Sequence, residues 1–396
     1  MDLRLSPEDE AFRNEVRAFL DASLPATIRE KTSREERISR DEMIEWHRIL
    51  NDRGWVAPHW PVEWGGTGWG PVRQYLFKEE LQLAPAPDPY MQNINLVGPV
   101  LIAFGTEEQK RRFLPGLKTL EYWFCQGFSE PGAGSDLASL KTSAVRDGDH
   151  YVVTGQKIWT SRAHWSNWMF ALVRTDPSEQ KQRGITYLLI PMDSKGVTVR
   201  PIITLDGDHF VNEVFLDQVR VPLSNRVGEE NKGWTYAKFL LGNERSNIAR
   251  VGLTKHRVRR AWDIASQVQD GGRPLSESPT LRRRLAALEA ELKALEITNL
   301  RMVAEMARGG TDPRDTKPSI LKLKGTELQQ LASEILFDIG GYQALSMRAS
   351  ESQSPPNADA WAARLAPAYF HGRAASIYGG TNEIQRNVVA RAILGA

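Results

Sequence analysis

The chain has 396 residues, 41% hydrophobic and 25% charged, which is ordinary globular material with enough apolar mass for two or three domains rather than a disordered segment. Lysine plus arginine (51) nearly balance aspartate plus glutamate (49) and the signs are interleaved, so no nucleic-acid-binding patch and no acidic solvating tail is expected. Cys125 is the single cysteine, which excludes an internal disulfide and fits a reducing cytoplasm. Residues 1–5 carry no basic-then-apolar signal, and no window nears the ~18 apolar residues of a membrane span, so export and membrane insertion are not expected.

Residues 1–120 read as a helical domain. Ser6-Pro7-Glu8-Asp9 is a capping signature followed by Phe12, Val16, Phe19 and Leu20 at helical spacing. Ser39 with Glu42 caps a second helix striped by Met43, Trp46 and Leu50, and Gly54 can close it. A glycine-rich loop at 64–70 follows, and Thr106 with Gln109 caps a further helix. From 121 to 229 the period changes. Tyr151 to Val153, Met169 to Val173, Thr186 to Ile190 and Val214 to Leu216 are short β-like runs separated by turns such as Asp147-Gly148, which predicts a small barrel or sandwich. From 230 to 396 the spacing is helical again and rich in Leu, Ala, Glu, Lys and Arg, as in a four-helix bundle with a tail. The fold class expected is mainly α with a central β domain. The run 350–356, with Ser-Pro-Pro at its end, reads as a flexible loop.

Three segments carry the chemistry. Glu130-Pro131-Gly132-Ala133-Gly134-Ser135-Asp136 follows a β-like run, and its glycines allow backbone N–H groups to approach a phosphate, with the Ser135 hydroxyl as a further donor. An ordinary turn is the plain alternative. Leu137 stands where a third Rossmann glycine would be, and Pro131 replaces the last glycine of a nucleophile elbow. The second segment, Gly155-Gln156-Lys157-Ile158-Trp159-Thr160-Ser161, sets an indole beside two hydroxyls. It suits a flat ring with polar edges, although in a chain with 12 tryptophans Trp159 also reads as core. The third, Ile377-Tyr378-Gly379-Gly380-Thr381-Asn382-Glu383-Ile384-Gln385, also fits a glycine-terminated helix with an amphipathic tail. The seven histidines never fall at zinc-ligand spacing, so no metal is implied.

Together, in this order and spacing, the segments resemble the acyl-CoA dehydrogenase family over essentially the whole chain. Within the family the likeness runs to pimeloyl-CoA dehydrogenase large subunits and to actinobacterial steroid side-chain enzymes. The resemblance implies FAD as cofactor, an acyl-CoA as substrate and an electron-transferring flavoprotein as acceptor. It implies FAD contacts from Gln126, Phe128, Ser129, Gly134, Ser135, Trp159, Ser161, Gly341, Thr381 and Glu383, and substrate contacts from Ser135, Arg245, Tyr378 and Gly379. The implied reaction removes an α proton and passes a β hydride to flavin N5, giving the trans-2-enoyl-CoA. Most relatives carry the base in Tyr-Glu-Gly-Thr, whereas this chain has Tyr378-Gly379-Gly380-Thr381, and glycine cannot take a proton. A minority carries it on a bundle helix before an arginine. Asn243-Glu244-Arg245 matches, so Glu244 is the expected base, against the plain alternative of a surface ion pair. The carbonyl is expected on the Gly379 N–H and a flavin ribityl hydroxyl.

A non-catalytic subunit of a heteromeric flavoprotein and a flavin oxidase or monooxygenase on the same fold stand as alternatives. The acyl group is left open among linear dicarboxylyl, branched and polycyclic chains. Homotetrameric relatives complete each FAD site with a neighbour's Arg-x-x-Phe-Gly and with a glutamine before a Gly-Gly pair. Here the first region reads Gly271-Gly272-Arg273-Pro274, and Phe337 occupies the glutamine position before Gly340-Gly341. An α2β2 complex with a smaller, related subunit is therefore slightly favoured over a homodimer or homotetramer.

Overall fold

The computed structural model describes residues 5–178, 181–244, 249–310, 315–345 and 361–395, with the side chains of 242–244 excepted. The loop expected at 350–356 lies outside them. The first domain holds helices α1 (Pro7–Ser23), α2 (Ala26–Ser33), α3 (Arg40–Asp52), α4 (Pro71–Leu83), α5 (Gly98–Phe104) and α6 (Glu107–Thr119), with a π-helical stretch, Gln92–Val97, leading into α5. The caps act as their sequences require. The Ser6 hydroxyl accepts from the Asp9 N–H, and Ser39/Glu42 and Thr106/Gln109 form reciprocal capping boxes. Phe12, Val16 and Leu20 of α1 and Met43, Trp46 and Leu50 of α3 are buried in one core.

Among the described residues nine strands follow in chain order, seven of them in one sheet. β1 (Phe124–Gly127), β2 (Ser143–Asp147), β3 (His150–Lys157), β4 (Trp168–Arg174), β5 (Ile185–Pro191), β6 (Val197–Ile203) and β7 (His209–Pro222) run in the order β1-β4-β2-β3-β7-β6, with β5 also on β4. The β1/β4 pair is parallel, while β3/β7, β4/β5 and β6/β7 are antiparallel. Because strand side chains alternate, β4 and β5 serve two cores at once. Phe170, Leu172, Tyr187 and Leu189 join the helical domain, while Met169, Ala171, Leu188 and Ile190 fill the sheet's other face. Burial on both faces is why these runs are continuously apolar.

The last domain contains α7 (Gly233–Glu244), α8 (Val251–Gln267), α9 (Pro279–Ala307), α10 (Lys317–Ala344), α11 (Leu365–Gly372) and α12 (Asn382–Leu394). Leu281, Leu285, Leu288, Leu292 and Leu295 form one buried stripe on α9. Between α8 and α9 a two-strand hairpin, β8 (Gln269–Asp270) with β9 (Arg273–Pro274), turns at Gly271 and Gly272, both at positive φ. No helix continues through Pro274. Helix α4 of the first domain lies so close to α8 that a Cβ on Gly252 would come within 2.8 Å of the Glu79 carbonyl and the Gln82 side chain. That contact is also tied by Lys255, which reaches Glu79 and Glu296 at 2.7 Å each.

Candidate active site

The residues expected on the β side lie in two adjoining loops. Gln126 is half-buried on β1, Phe128 is buried, and Ser129 sits at the start of the glycine loop. Glu130 and Ala133 exchange two backbone hydrogen bonds of 3.0 Å, so the chain turns tightly and leaves Gly132, Gly134 and Ser135 exposed. Neither Gly132 nor Gly134 has positive φ, and a Cβ on either would meet nothing within 4 Å. The chain's own packing therefore does not demand glycine there, and the bare backbone faces outward.

A buried ion pair fastens this loop to the tryptophan segment. Lys157 at the end of β3 donates to Glu130 Oε1 at 2.7 Å, to the Leu172 carbonyl at 2.7 Å and to the Phe128 carbonyl at 3.2 Å. Glu130 also accepts from the backbone N–H groups of Lys141 and Thr142. Burial pushes the Glu130 carboxyl up, but Lys157 more than offsets it and holds it below the usual carboxylate range. Burial lowers the Lys157 ammonium to about 8, with Glu130 opposing. The pair stays ionised at neutral pH. Sequence reading passed it over, because residues 27 apart in the chain give no local signal of meeting. One residue further on, Ile158 donates to the Ser129 carbonyl at 3.0 Å, and Thr160 pairs with Asn212 in both directions. Between these anchors Trp159 adopts φ +58° and is 58% exposed. It is not a core tryptophan. The large ring is held in a left-handed backbone and presents a flat apolar face to solvent. Ser161 lies half-buried just beyond it.

The third segment is built differently. Gly379 (φ +65°) and Gly380 (φ +80°) are both left-handed, and Tyr378 is half exposed. The Gln385 amide donates weakly to both glycine carbonyls, at 3.4 Å each. Among the described residues, the Gly379 N–H donates to nothing. Thr381 caps α12 by accepting from Ile384, and Glu383 points outward from the first turn. The adjacent Asn382 is buried and fixed by Lys322 at 2.9 Å and by Thr326 of α10. Gln385 and Asn382 are therefore positioning residues, for which side-chain identity alone gave no signal.

Charged contacts bring the two sides together. The Arg162 backbone N–H donates to the Phe210 carbonyl, and the Phe210 ring packs edge-on to His371 of α11 at 5.9 Å. Asp206 and Asp208, in the turn before β7, meet Arg37 of the first domain and His371 and Arg364 of the last. Glu244 is the last residue of α7, with its side chain outside the described residues, and Arg245 lies wholly outside them. The described residues on either side, Phe239 and the run 249–252, line a cavity of about 560 Å³. It is floored by Val56, Trp60, Ile94, Ile102 and Met302, between the first domain and the bundle.

Gly341, the expected adenine-side residue, is the break in α10: at φ +48°, ψ −130° only glycine is comfortable. Phe337, one turn earlier, stacks on Tyr369 at 5.2 Å. No group of three or more His, Cys, Asp or Glu among the described residues is placed to hold a metal, and no helix among them is long and apolar enough to cross a membrane.

Models of the N-terminal, middle and C-terminal domains of acyl-CoA dehydrogenase match residues 6–121, 125–219 and 231–394. The chain is 36% identical to acyl-CoA dehydrogenase IpdE1 of Mycobacterium tuberculosis, over 98% of this chain and 97% of that protein. It belongs to the acyl-CoA dehydrogenase family. Acyl-CoA dehydrogenase FadE26 of the same organism is 34% identical, over 100% of this chain and 98% of its own. Among solved structures, the ChsE4-ChsE5 complex from Mycobacterium tuberculosis superposes with a TM-score of 0.84 at 34% identity, covering 100% of this chain and 99% of that one. The steroid ACAD Tcur3481-Tcur3483 gives 0.86 at 34% identity with the same coverage. An acyl-CoA dehydrogenase is an oxidoreductase, and the family generally binds FAD. The open indole of Trp159, beside backbone that no Cβ obstructs, fits the flat ring and phosphates of such a group.

Proposed function

We propose that the chain oxidises the Cα–Cβ bond of an acyl-CoA thioester to the trans-2-enoyl-CoA, with Glu244 taking the α proton. The observation that carries this reading is the backbone at Gly379. It offers a free N–H to a thioester carbonyl, and as glycine it has no side chain to act as base. A carboxylate from another element is then required, and Glu244 ends the helix whose Phe239 lines the cavity. When bound, FAD supplies the hydride acceptor. Gln126, Phe128, Ser129, Gly134 and Ser135 would hold its ring edge and phosphates, Trp159 and Ser161 its isoalloxazine, and Gly341, Thr381 and Glu383 its adenosine side. Tyr378, Ser135 and Arg245 would position the substrate. Held on the Gly379 N–H, the carbonyl makes the α hydrogen more acidic and so lowers the basicity asked of Glu244. Replacing Glu244 with Gln should leave a yellow protein that binds acyl-CoA and loses at least ~10²-fold in flavin reduction. Near-normal reduction in stopped-flow would refute Glu244 as base.

The cavity volume lies in the range that takes a drug-sized ligand, and a structural relative is described as a steroid ACAD, which together favour a bulky, polycyclic acyl group. A heteromeric assembly is the second part of the reading. Phe337 is committed to Tyr369 and offers no hydrogen bond, Arg273 stands exposed on its hairpin, and two related structures are complexes of two named chains. A related subunit would then complete the adenosine side, with an electron-transferring flavoprotein as acceptor. Mass and flavin content of the chain expressed alone decide this. A homo-oligomer with one FAD per chain and full activity would remove the need for a second subunit.

A further inference from the structure

The cavity between the first domain and the bundle is not uniformly apolar. Lys78 of α4 is a cavity-lining residue whose ammonium makes no hydrogen bond among the described residues, and its nearest counter-ion is Asp88 Oδ1 at 3.9 Å. That oxygen is buried and without a hydrogen bond of its own. Across the cavity, on α9, Asn299 is 6% exposed and its Oδ1 is likewise without a partner. Of the other ionisable lining groups, Glu79 and Tyr75 are spoken for, His59 is neutral and Arg250 is charged. Glu79 is paired with Lys255 and bonded by Tyr75, and His59 is held to about 4 by burial, with Lys78 adding to it and its contact to the Ile94 carbonyl opposing. Arg250 adds a second positive charge to the same wall. Burial depresses the Lys78 ammonium, Asp88 opposes that, and Arg250 adds to it, as expected of a cation with too few partners.

Lys78 and Asp88 keep 26% and 29% of their side chains exposed, so the group the fold leaves short is specific: a cavity-facing ammonium with no acceptor within hydrogen-bond reach among the described residues, which a ligand entering the cavity can supply. We propose that Lys78 is a specificity-determining residue that receives an acceptor oxygen, a carboxylate in the strongest case, carried by the part of the acyl group that fills this cavity. Asn299 turns its amide to the same oxygen or to a neighbouring hydroxyl. This assignment rests on the dehydrogenase reading for the identity of the ligand. It adds that the acyl group is oxygenated where it meets Lys78 and is not a plain hydrocarbon.

The test uses purified, flavin-loaded protein, with its partner subunit if it needs one. A ladder of acyl-CoAs ending in carboxylate is compared with equal-length acyl-CoAs ending in methyl, reading the dissociation constant by calorimetry and flavin reduction by stopped flow. At the best length the carboxylate member should bind about tenfold tighter or more, as a charge-assisted hydrogen bond in an enclosed site warrants. In Lys78→Met that ratio should fall towards one. Asn299→Leu should reduce it less. Equal binding of both series at every length, or an undiminished ratio in Lys78→Met, overturns the assignment. Should Lys78→Met fail to fold, the wild-type ratio and Asn299→Leu still decide it. If the carboxylates bind selectively but no acyl-CoA reduces the flavin, the dehydrogenase reading fails and this one stands. If both series reduce it equally well with equal affinity, the reverse holds.

Discussion

The two halves of the candidate site are secured in opposite ways. On the β side, the glycine loop and the tryptophan segment are stapled by a buried ion pair, by backbone bonds from Ile158 to Ser129 and from Thr160 to Asn212, and by flanking strands. On the tail side, Gly379 and Gly380 are exposed or half exposed, and the closest holds on them are two long bonds from Gln385. The difference follows what the proposed function asks of each half. A surface that receives a rigid ring gains from being fixed beforehand, whereas a carbonyl donor on a left-handed glycine needs only one N–H correctly aimed.

The comparison breaks most visibly at Lys157. Lys157→Met removes one partner of the buried pair and leaves Glu130 without its counter-ion, a change that typically costs about 3–5 kcal/mol. Urea unfolding should show a loss of that order together with reduced flavin content, since Trp159 is carried two residues on. Loss below ~1 kcal/mol with full flavin content would mean the staple is not what orders the β side.

A clamp of a different kind ties the first domain to the bundle that carries the tail. Arg257 of α8 is paired with Glu35 at 2.7 Å and donates to the Gln329 carbonyl of α10. Burial pushes the Glu35 carboxyl up, but the charges of Arg257 and Arg260 outweigh it and hold it at about 2, against an ordinary 4.5. Because the folded value is the lower one, this stabilisation is complete above pH ~4.5 and is lost as pH falls toward 2, by about 3 kcal/mol in all. Urea midpoints measured across that window should fall steeply in wild type and more shallowly in Glu35→Gln. Parallel curves would show that the clamp contributes nothing to acid sensitivity.

How much of this was legible in sequence depended on distance along the chain. Caps at Ser6, Ser39 and Thr106 and the leucine stripe of α9 are local, and each forms as its spacing requires. The three motif segments were recognisable as candidates, but the exposure of Trp159 was not, because an indole's surroundings are set by tertiary packing. Lys157 meeting Glu130, the break at Gly341 inside an otherwise continuous helical pattern, and a cavity walled by α4, α5, α7, α8 and α9 all arise from segments remote in sequence. The Lys78 side chain accordingly read as one more helical lysine.

The smallest effect concerns Gly379 itself and separates backbone strain from base chemistry. At φ +65° any side chain pays a conformational cost of about 1 kcal/mol, so Gly379→Ala and Gly379→Glu should each lower stability by that much. Both keep the N–H that the carbonyl needs. In a Glu244→Gln background the two should then part: the added glutamate returns a carboxylate to the pocket and recovers some of the lost flavin reduction, whereas the added alanine recovers none. Recovery by both would mean that the strained backbone, not a proton acceptor, had limited the Glu244→Gln enzyme. Recovery by neither, with stability down by the expected amount, would mean that a carboxylate at 379 does not reach the α carbon in this pocket. The tail would then serve the carbonyl alone.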